Sequence, residues 1–286
     1  MLQFFENLSQ SLIAWHASLQ LIANNKLTPR STACYLRHRL ENAMVDTLNA
    51  SQGIFIHWGV YETGKSTAAR HAAQRLQDDH DRTVILRKGY DLVGLFQPDC
   101  DLYACLGLPS NSFAQFLARP TTLIIDHFDT FVWSVAKKNR PFMRSLMGMI
   151  AQARDNPNFN MLLIFNSWES AKDFKDAANA KLVAHPDTGR WTEDELAALR
   201  DITHIKHTHT LENCDEILRL SITGGSPGLL HFGLNDFEPL KVSRARARIY
   251  ENEWTQGTLA LTGGIPTGPG RFPDKEGIFH WERPIE

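Results

Sequence analysis

The sequence predicts an α/β chain in which a parallel sheet is covered by helices on both faces. Two observations carry this. From residue 53 onward, short apolar runs alternate with segments of helical composition, and runs that are apolar throughout belong to strands buried on both faces. At the first junction between run and helix stands GVYETGKS, which matches G-x-x-x-x-G-K-[ST] at Gly59, Gly64, Lys65 and Ser66. Strand, glycine-rich turn and helix, in that order, form the setting in which this pattern cradles phosphate.

Residues 1–50 read as helical. The opening MLQFFENLSQSLIAWHASLQLIANN is apolar on one face and interrupted by Gln3, Glu6, Asn7, Gln10 and His16. It lacks the basic start of a signal peptide and the unbroken apolar length of a membrane span, so it is expected as a packed amphipathic helix, with membrane-surface attachment the alternative. A second helix has Thr28 as cap and Pro29 in its first turn, with Leu36, Leu40, Ala43, Met44 and Leu48 at helical spacing.

The expected strands are GIFIHW, TVILRK at 83–88, TTLIIDHF at 121–128 and MLLIFNS at 161–167, with helices at 65–79, 98–118 (broken near Pro109) and 137–155. For a fifth strand there are two candidates, KLVAH at 181–185 and THIKHTHT at 203–210. The second is preferred, because WTEDELAALR before it reads as a helix opened by a capping box of Thr192 with Glu195. NCDEILRLSI follows as a helix, and GGSPGLLHF starts another with Ser226 as cap and Pro227 in first position. This gives a helical segment at 1–50, a core at 51–210, a helical lid at 211–240, and a basic segment with a Gly/Pro-rich tail at 241–286. The tail is expected to be poorly ordered or extended.

A hydrophobic fraction of 43% and a charged fraction of 22% are those of a soluble globular protein. The formal charge of −2 gives no global attraction to nucleic acid or acidic membrane, so such contacts would need a local patch. Cys34, Cys100, Cys105 and Cys214 contain no C-x-x-C pair, which fits free thiols in a reducing intracellular compartment.

Each residue type in the turn Gly59, Val60, Tyr61, Glu62, Thr63, Gly64, Lys65, Ser66 and Thr67 bears on phosphate binding. The glycines permit close backbone approach, Lys65 can reach the β- and γ-phosphates of ATP, and the Ser66 hydroxyl can sit on Mg²⁺. The run TTLIID ends in Asp126 at the C-terminal sheet edge, where open α/β sheets bind ligands, and this carboxylate is the expected magnesium partner. Asp129 is a candidate general base for an attacking water, or else a helix cap or solvated acid. Asn166 ends MLLIF at the same edge, where its amide can bond the γ-phosphate or the water, or simply serve a turn.

The series GVYETGKST, LIIDHFD, LLIFNS and GGSPGLL resembles the AAA+ and STAND branch of P-loop ATPases over about residues 50–235. The resemblance implies a Walker A loop, a Walker B Asp126, a sensor 1 Asn166 and a lid helix. It also implies a five-stranded parallel P-loop sheet of order 5-1-4-3-2, with ATP and Mg²⁺ held between sheet and lid. His127 stands where AAA+ proteins have Glu, and the D-x-x-D of Asp126 and Asp129 is similar to the NACHT group of STAND proteins. No Arg accompanies Pro227 as a sensor 2. If strand five is 203–210, Arg200 matches the family's arginine finger, which implies a homo-oligomer; otherwise it is a helix-terminal charge.

Two clusters have ordinary explanations. His204, His207 and His209 could hold metal, but only the last two share a strand face, and surface or core histidines explain them better. Lys241, Arg244, Arg246 and Arg248 could touch nucleic-acid phosphates, though short basic runs are usually solvated. The expected function is ATP hydrolysis driving conformational change in the chain or a partner such as a polynucleotide. The alternatives are an ATP-gated interaction switch with little turnover and, with poorer support, a small-molecule kinase, which would need an Arg-rich closing lid.

Overall fold

The computed structural model describes residues 38–79, 82–89, 120–202, 211–234 and 239–263. The chain divides into two compact units. One holds Met1–His57, Ser66–Asn166 and Asp173–Ala184, the other Trp58–Lys65, Ser167–Lys172 and His185–Glu286.

The first unit is built on a parallel sheet of β1 (Gly53–Trp58), β2 (Thr83–Lys88), β3 (Thr121–Asp126), β4 (Phe159–Phe165) and β5 (Lys181–Leu182). The strand order is β2-β3-β4-β1-β5, which is the expected 5-1-4-3-2 read from the other edge. Every residue of β1, β3 and β4 is buried, as strands covered on both faces require. The edge strand β2 has an exposed first residue and two half-buried ones.

On one side, Leu40, Met44, Val45 and Leu48 of α1 (His38–Ala50) share a core with Ala68, Ala69, Ala72, Ala73 and Leu76 of α2 (Lys65–Asp79). The run of alanines gives α2 high helix propensity and a flat face. Asn160 joins the start of β4 to the start of β1 and to the end of α1: its Oδ1 accepts from Gly53 N at 3.1 Å and its Nδ2 donates to Leu48 O at 2.6 Å. A second cluster is aromatic. Phe128 packs edge-on to Phe165 and Phe174, with ring centroids 5.3 and 5.0 Å apart, and Trp133 meets Phe174 at 5.1 Å. Phe128 leads into a π-helical segment (Asp129–Trp133), a short α3 (Ser134–Ala136) and then α4 (Arg140–Arg154), which Asn139 caps by accepting from Phe142 N at 3.1 Å.

The preferred placement of strand five at 203–210 does not hold. β5 is the KLVAH candidate, paired through Lys181 and Leu182 with Phe55 and Ile56 of β1, and Val183 N donates to Ile56 O at 2.9 Å. A ladder of two residues is too short to produce the apolar run from which strands were recognised. The crossover that reaches it, α5 (Trp168–Ala178), was not expected either, because two of its three buried contacts are the small Ala171 and Ala178 around Phe174. Residues 203–210, with His204, His207 and His209, lie outside the described residues. So do the opening helix, Thr28 and Pro29, the expected helix at 98–118, three of the cysteines and the tail beyond residue 263.

In the second unit, a 3₁₀ turn (Pro186–Gly189) leads to α6 (Glu193–Ile202), α7 (Leu211–Gly224), α8 (Pro227–Leu234) and α9 (Leu240–Thr262). The capping box of α6 is present. Thr192 N donates to Glu195 Oε2 at 2.8 Å, and Glu195 N donates to Thr192 Oγ1 at 3.3 Å. Ser226 caps α8 by accepting from Gly228 N at 3.2 Å. The basic segment, for which the sequence indicated no element, is the start of α9, a helix of 23 residues that buries Ala247, Tyr250, Trp254 and Leu261 and ends at left-handed Gly263. Its apolar positions are spaced among arginines, which hid the period. Among the described residues no helix is long and apolar enough to cross a membrane.

Candidate functional site

The turn between β1 and α2 belongs to the second unit. Lys65 is the first residue of α2 and is only 5% exposed. Its ammonium donates to the carbonyls of Gly59 at 2.8 Å and Val60 at 2.7 Å, as a buried charge must find partners. Thr63 is fully buried, and its hydroxyl donates to the same Val60 carbonyl at 2.8 Å. Gly59 is needed for space: a Cβ there would lie 3.2 Å from Lys65 Cδ and 3.3 Å from the Trp254 ring. Gly64 is needed for conformation, with φ of +80°. Tyr61 and Glu62 form the exposed tip, and Glu62 adopts φ of +62° although it is not glycine.

Helices of the same unit hold this turn from several directions. Trp191 Nε1 donates to Thr63 O at 2.8 Å, and Ser226 Oγ donates to Glu62 O at 3.4 Å. From α9, Arg246 Nη2 donates to Glu62 Oε2 at 2.5 Å and the Tyr250 hydroxyl lies 3.4 Å from the same oxygen. Trp254 packs edge-on to Trp58, centroids 5.1 Å apart, while its Nε1 donates to Gly224 O at 3.0 Å. Gly257 admits the Trp58 ring, for a Cβ there would come within 2.2 Å of it. Glu253 on α9 has its pKa raised, first by burial and then by the Glu169 carboxylate, against an opposing pull from Lys65.

The first unit carries a separate polar group at the ends of β3 and β4. Asp126 is buried, and its Oδ1 accepts from His127 N at 2.9 Å. His127 takes φ of +55°, and its Nδ1 lies 3.0 Å from Asn166 Nδ2. With the amide NH₂ as donor in that pair, the neutral imidazole carries its proton on Nε2, which lies 3.8 Å from Asp126 Oδ2. Asp129, also buried, accepts from Asn166 N at 2.9 Å through Oδ2 and from Thr130 Oγ1 at 3.3 Å through Oδ1. Gly89, just past β2, leaves room for this corner, since a Cβ would stand 2.5 Å from His127 O.

Asp126, Asp129 and Asn166 are thus drawn together, with His127 as an unexpected link among them. His127 had a sequence signal, because it occupies the place of the Glu that the resemblance implies. Trp191, Tyr250 and Glu253 had none, and Arg246 had only its place in the basic run. Arg200 sits in the last turn of α6, which follows β5 instead of preceding it, so the strand placement that would make it a finger is absent. Arg244 donates to Glu216 at 2.6 Å and Arg246 to Glu62, while Lys241 and Arg248 are exposed.

The residues fit a polyphosphate. α2 begins at Lys65 with no acid in its first turn, and a helix N-terminus favours anions. They also fit magnesium. Among the described residues no group of three or more His, Cys, Asp or Glu could form a metal cage, yet Ser66 and Asp126 offer hard oxygens to an ion that keeps water and phosphate as its other ligands.

No family model matches the sequence, and no curated protein matches it. Among solved structures, domain III of the replication initiation protein DnaA from Thermotoga maritima is similar with a TM-score of 0.40 and 13% identity, covering 75% of this chain and 90% of that one. The ORC2 protein of Aeropyrum pernix, in ADPNP–ADP complexes, gives 0.42 and 9%, covering 82% and 81%. PCH-2 of C. elegans gives 0.39 and 11%, covering 77% and 68%.

Proposed function

We propose that this chain binds ATP with Mg²⁺ at Gly59–Thr67 and hydrolyses it, and that the nucleotide state is coupled to the conformation of its helical unit. The observation that carries this reading is the buried Lys65, whose ammonium lies on the carbonyls of Gly59 and Val60 in a turn anchored by Trp191, Ser226 and Arg246. A turn held by so many helical contacts cannot change shape without those helices responding.

In this proposal Lys65 turns its ammonium from the two carbonyls to the β- and γ-phosphate oxygens. The N-terminus of α2 adds backbone donors and its dipole. Ser66 and Asp126 hold magnesium, which when bound supplies neutralising charge on the phosphate oxygens. Asn166 orients water through its amide, and Asp129 takes the water proton on a carboxylate oxygen. His127 holds the Asn166 amide by accepting from Nδ2. Lys241 and Arg248, exposed on α9, are the proposed contacts for nucleic-acid phosphates, and contact among copies of the chain belongs to the same proposal.

One observation favours the second reading, a switch with little turnover. Both Asp129 oxygens already accept hydrogen bonds, so an attacking water must compete with Asn166 N and Thr130 Oγ1 for them. Measuring ATP binding and ATP turnover, with and without single- and double-stranded DNA and RNA, separates the readings. Turnover supports hydrolysis, tight binding without turnover supports the switch, and absence of binding removes both.

A further inference from the structure

Glu62 is the only acid between Gly59 and Thr67. At the tip of a phosphate-binding turn, an unbalanced carboxylate repels the anion that the turn exists to bind. Its surroundings are built to balance it. Arg246 Nη2 bonds Glu62 Oε2 at 2.5 Å and the Tyr250 oxygen at 2.9 Å, and the guanidinium carbon lies 5.5 Å from the Tyr250 ring centroid. Tyr250 is itself buried, which raises the pKa of its phenol and keeps it protonated as a donor. Gly228 leaves space for the carboxylate, since a Cβ there would lie 2.2 Å from Glu62 Oε2. Four residues from α8, α9 and the turn between α7 and α8 therefore converge on Glu62: Gly228, Arg246 and Tyr250 on its carboxylate, Ser226 on its backbone carbonyl.

We propose that Arg246, Tyr250 and Gly228 form a socket that neutralises Glu62 and fixes its direction, so that Arg246 supports nucleotide binding through Glu62 and not by touching the nucleotide. Arg246 and Tyr250 are then positioning residues for the loop. This rests on the reading of Gly59–Thr67 as a phosphate loop. A basic residue that met phosphate directly would behave differently when Glu62 is removed, and that difference is measurable.

The test is a double-mutant cycle read by equilibrium binding of ATP and of inorganic pyrophosphate to the full chain, using the parent, Glu62→Gln, Arg246→Met and the pair. Arg246→Met leaves the Glu62 charge bare and should weaken both ligands by about tenfold. Glu62→Gln should bind both ligands more tightly than the parent, because the loop tip loses its negative charge and keeps the positive charge of Arg246. The double variant should return to within about threefold of the parent, because the charge that Arg246 neutralised is gone. A double variant as weak as Arg246→Met overturns the proposal and makes Arg246 a direct ligand or a packing residue. Should Arg246→Met fail to fold, Tyr250→Phe with and without Glu62→Gln reads the same coupling more gently. Melting temperatures without nucleotide provide a second readout, in which Glu62→Gln and Arg246→Met should be strongly non-additive. If the parent binds neither ligand, the loop reading itself fails, whereas binding by the parent without recovery in the pair fails the socket alone.

Discussion

The indole N–H of Trp191 donates to the Thr63 carbonyl at 2.8 Å, and the Trp191 backbone N–H donates to Gly225 O at 3.2 Å. One residue thus ties the turn after β1 to the turn before α8. Both Trp191 and Thr63 are buried, so the bond is not exchanged with water. Helices of the second unit hold the loop through hydrogen bonds to its backbone, which any change in loop shape must strain or break.

Trp191→Phe keeps most of the ring and deletes that donor. Leaving a buried carbonyl without its partner costs about 1–3 kcal/mol, so the urea midpoint should fall and ATP affinity should fall with it. An unchanged midpoint would mean that another donor reaches Thr63 O.

Lys65→Ala should abolish binding of ATP and pyrophosphate, since the cation that reaches phosphate is removed. Because Lys65 also satisfies the carbonyls of Gly59 and Val60, a modest loss of stability should accompany it. Binding that survives at parental strength would remove the phosphate-loop assignment.

Asp126→Asn should leave metal-free nucleotide binding intact and lose most magnesium-dependent turnover, because a neutral amide is a poor ligand for a hard cation. Asp129→Ala should behave differently. It strips the acceptor from Asn166 N, so the melting temperature should drop in the absence of nucleotide, with turnover lost as well. Should Asp126→Asn bind Mg²⁺–ATP as the parent does and turn it over normally, the magnesium role would pass to another residue.

Much of the sheet was legible because β1, β3 and β4 each carry an unbroken apolar stretch, Ile54–Ile56, Leu123–Ile125 and Met161–Phe165, and each leaves the sheet at a glycine or polar residue. The loop was legible because Gly59, Gly64, Lys65 and Ser66 are fixed by local backbone needs. β5 was not legible, since two laddered residues carry no period, and α6 drew attention away from it by its clear capping box. α9 was obscured because Tyr250, Trp254 and Leu261 are separated by charged and small residues. The ties of Glu62 to Arg246 and of Thr63 to Trp191 join residues more than a hundred positions apart, and such pairings leave no mark on local composition.

Glu253 offers a test by pH. Its carboxyl is half-buried, and its pKa is raised above the ordinary range, first by burial and then by Glu169, with Lys65 pulling the other way. An acid whose folded pKa exceeds its unfolded value lowers stability when charged. That cost is complete well above the folded pKa, shrinks as pH falls through it, and vanishes below the unfolded value of roughly 4.3. Glu253→Gln should therefore raise the melting temperature near neutral pH, and the gain should close as pH approaches roughly 4.3. Because the group is partly solvated, the gain should amount to about 1 kcal/mol or less. The same substitution removes a negative charge from the field of Lys65, so ATP affinity near neutral pH should rise. A lower melting temperature for Glu253→Gln at neutral pH would show that the carboxylate makes a bond worth more than its desolvation, and the pH dependence would then run in the opposite direction.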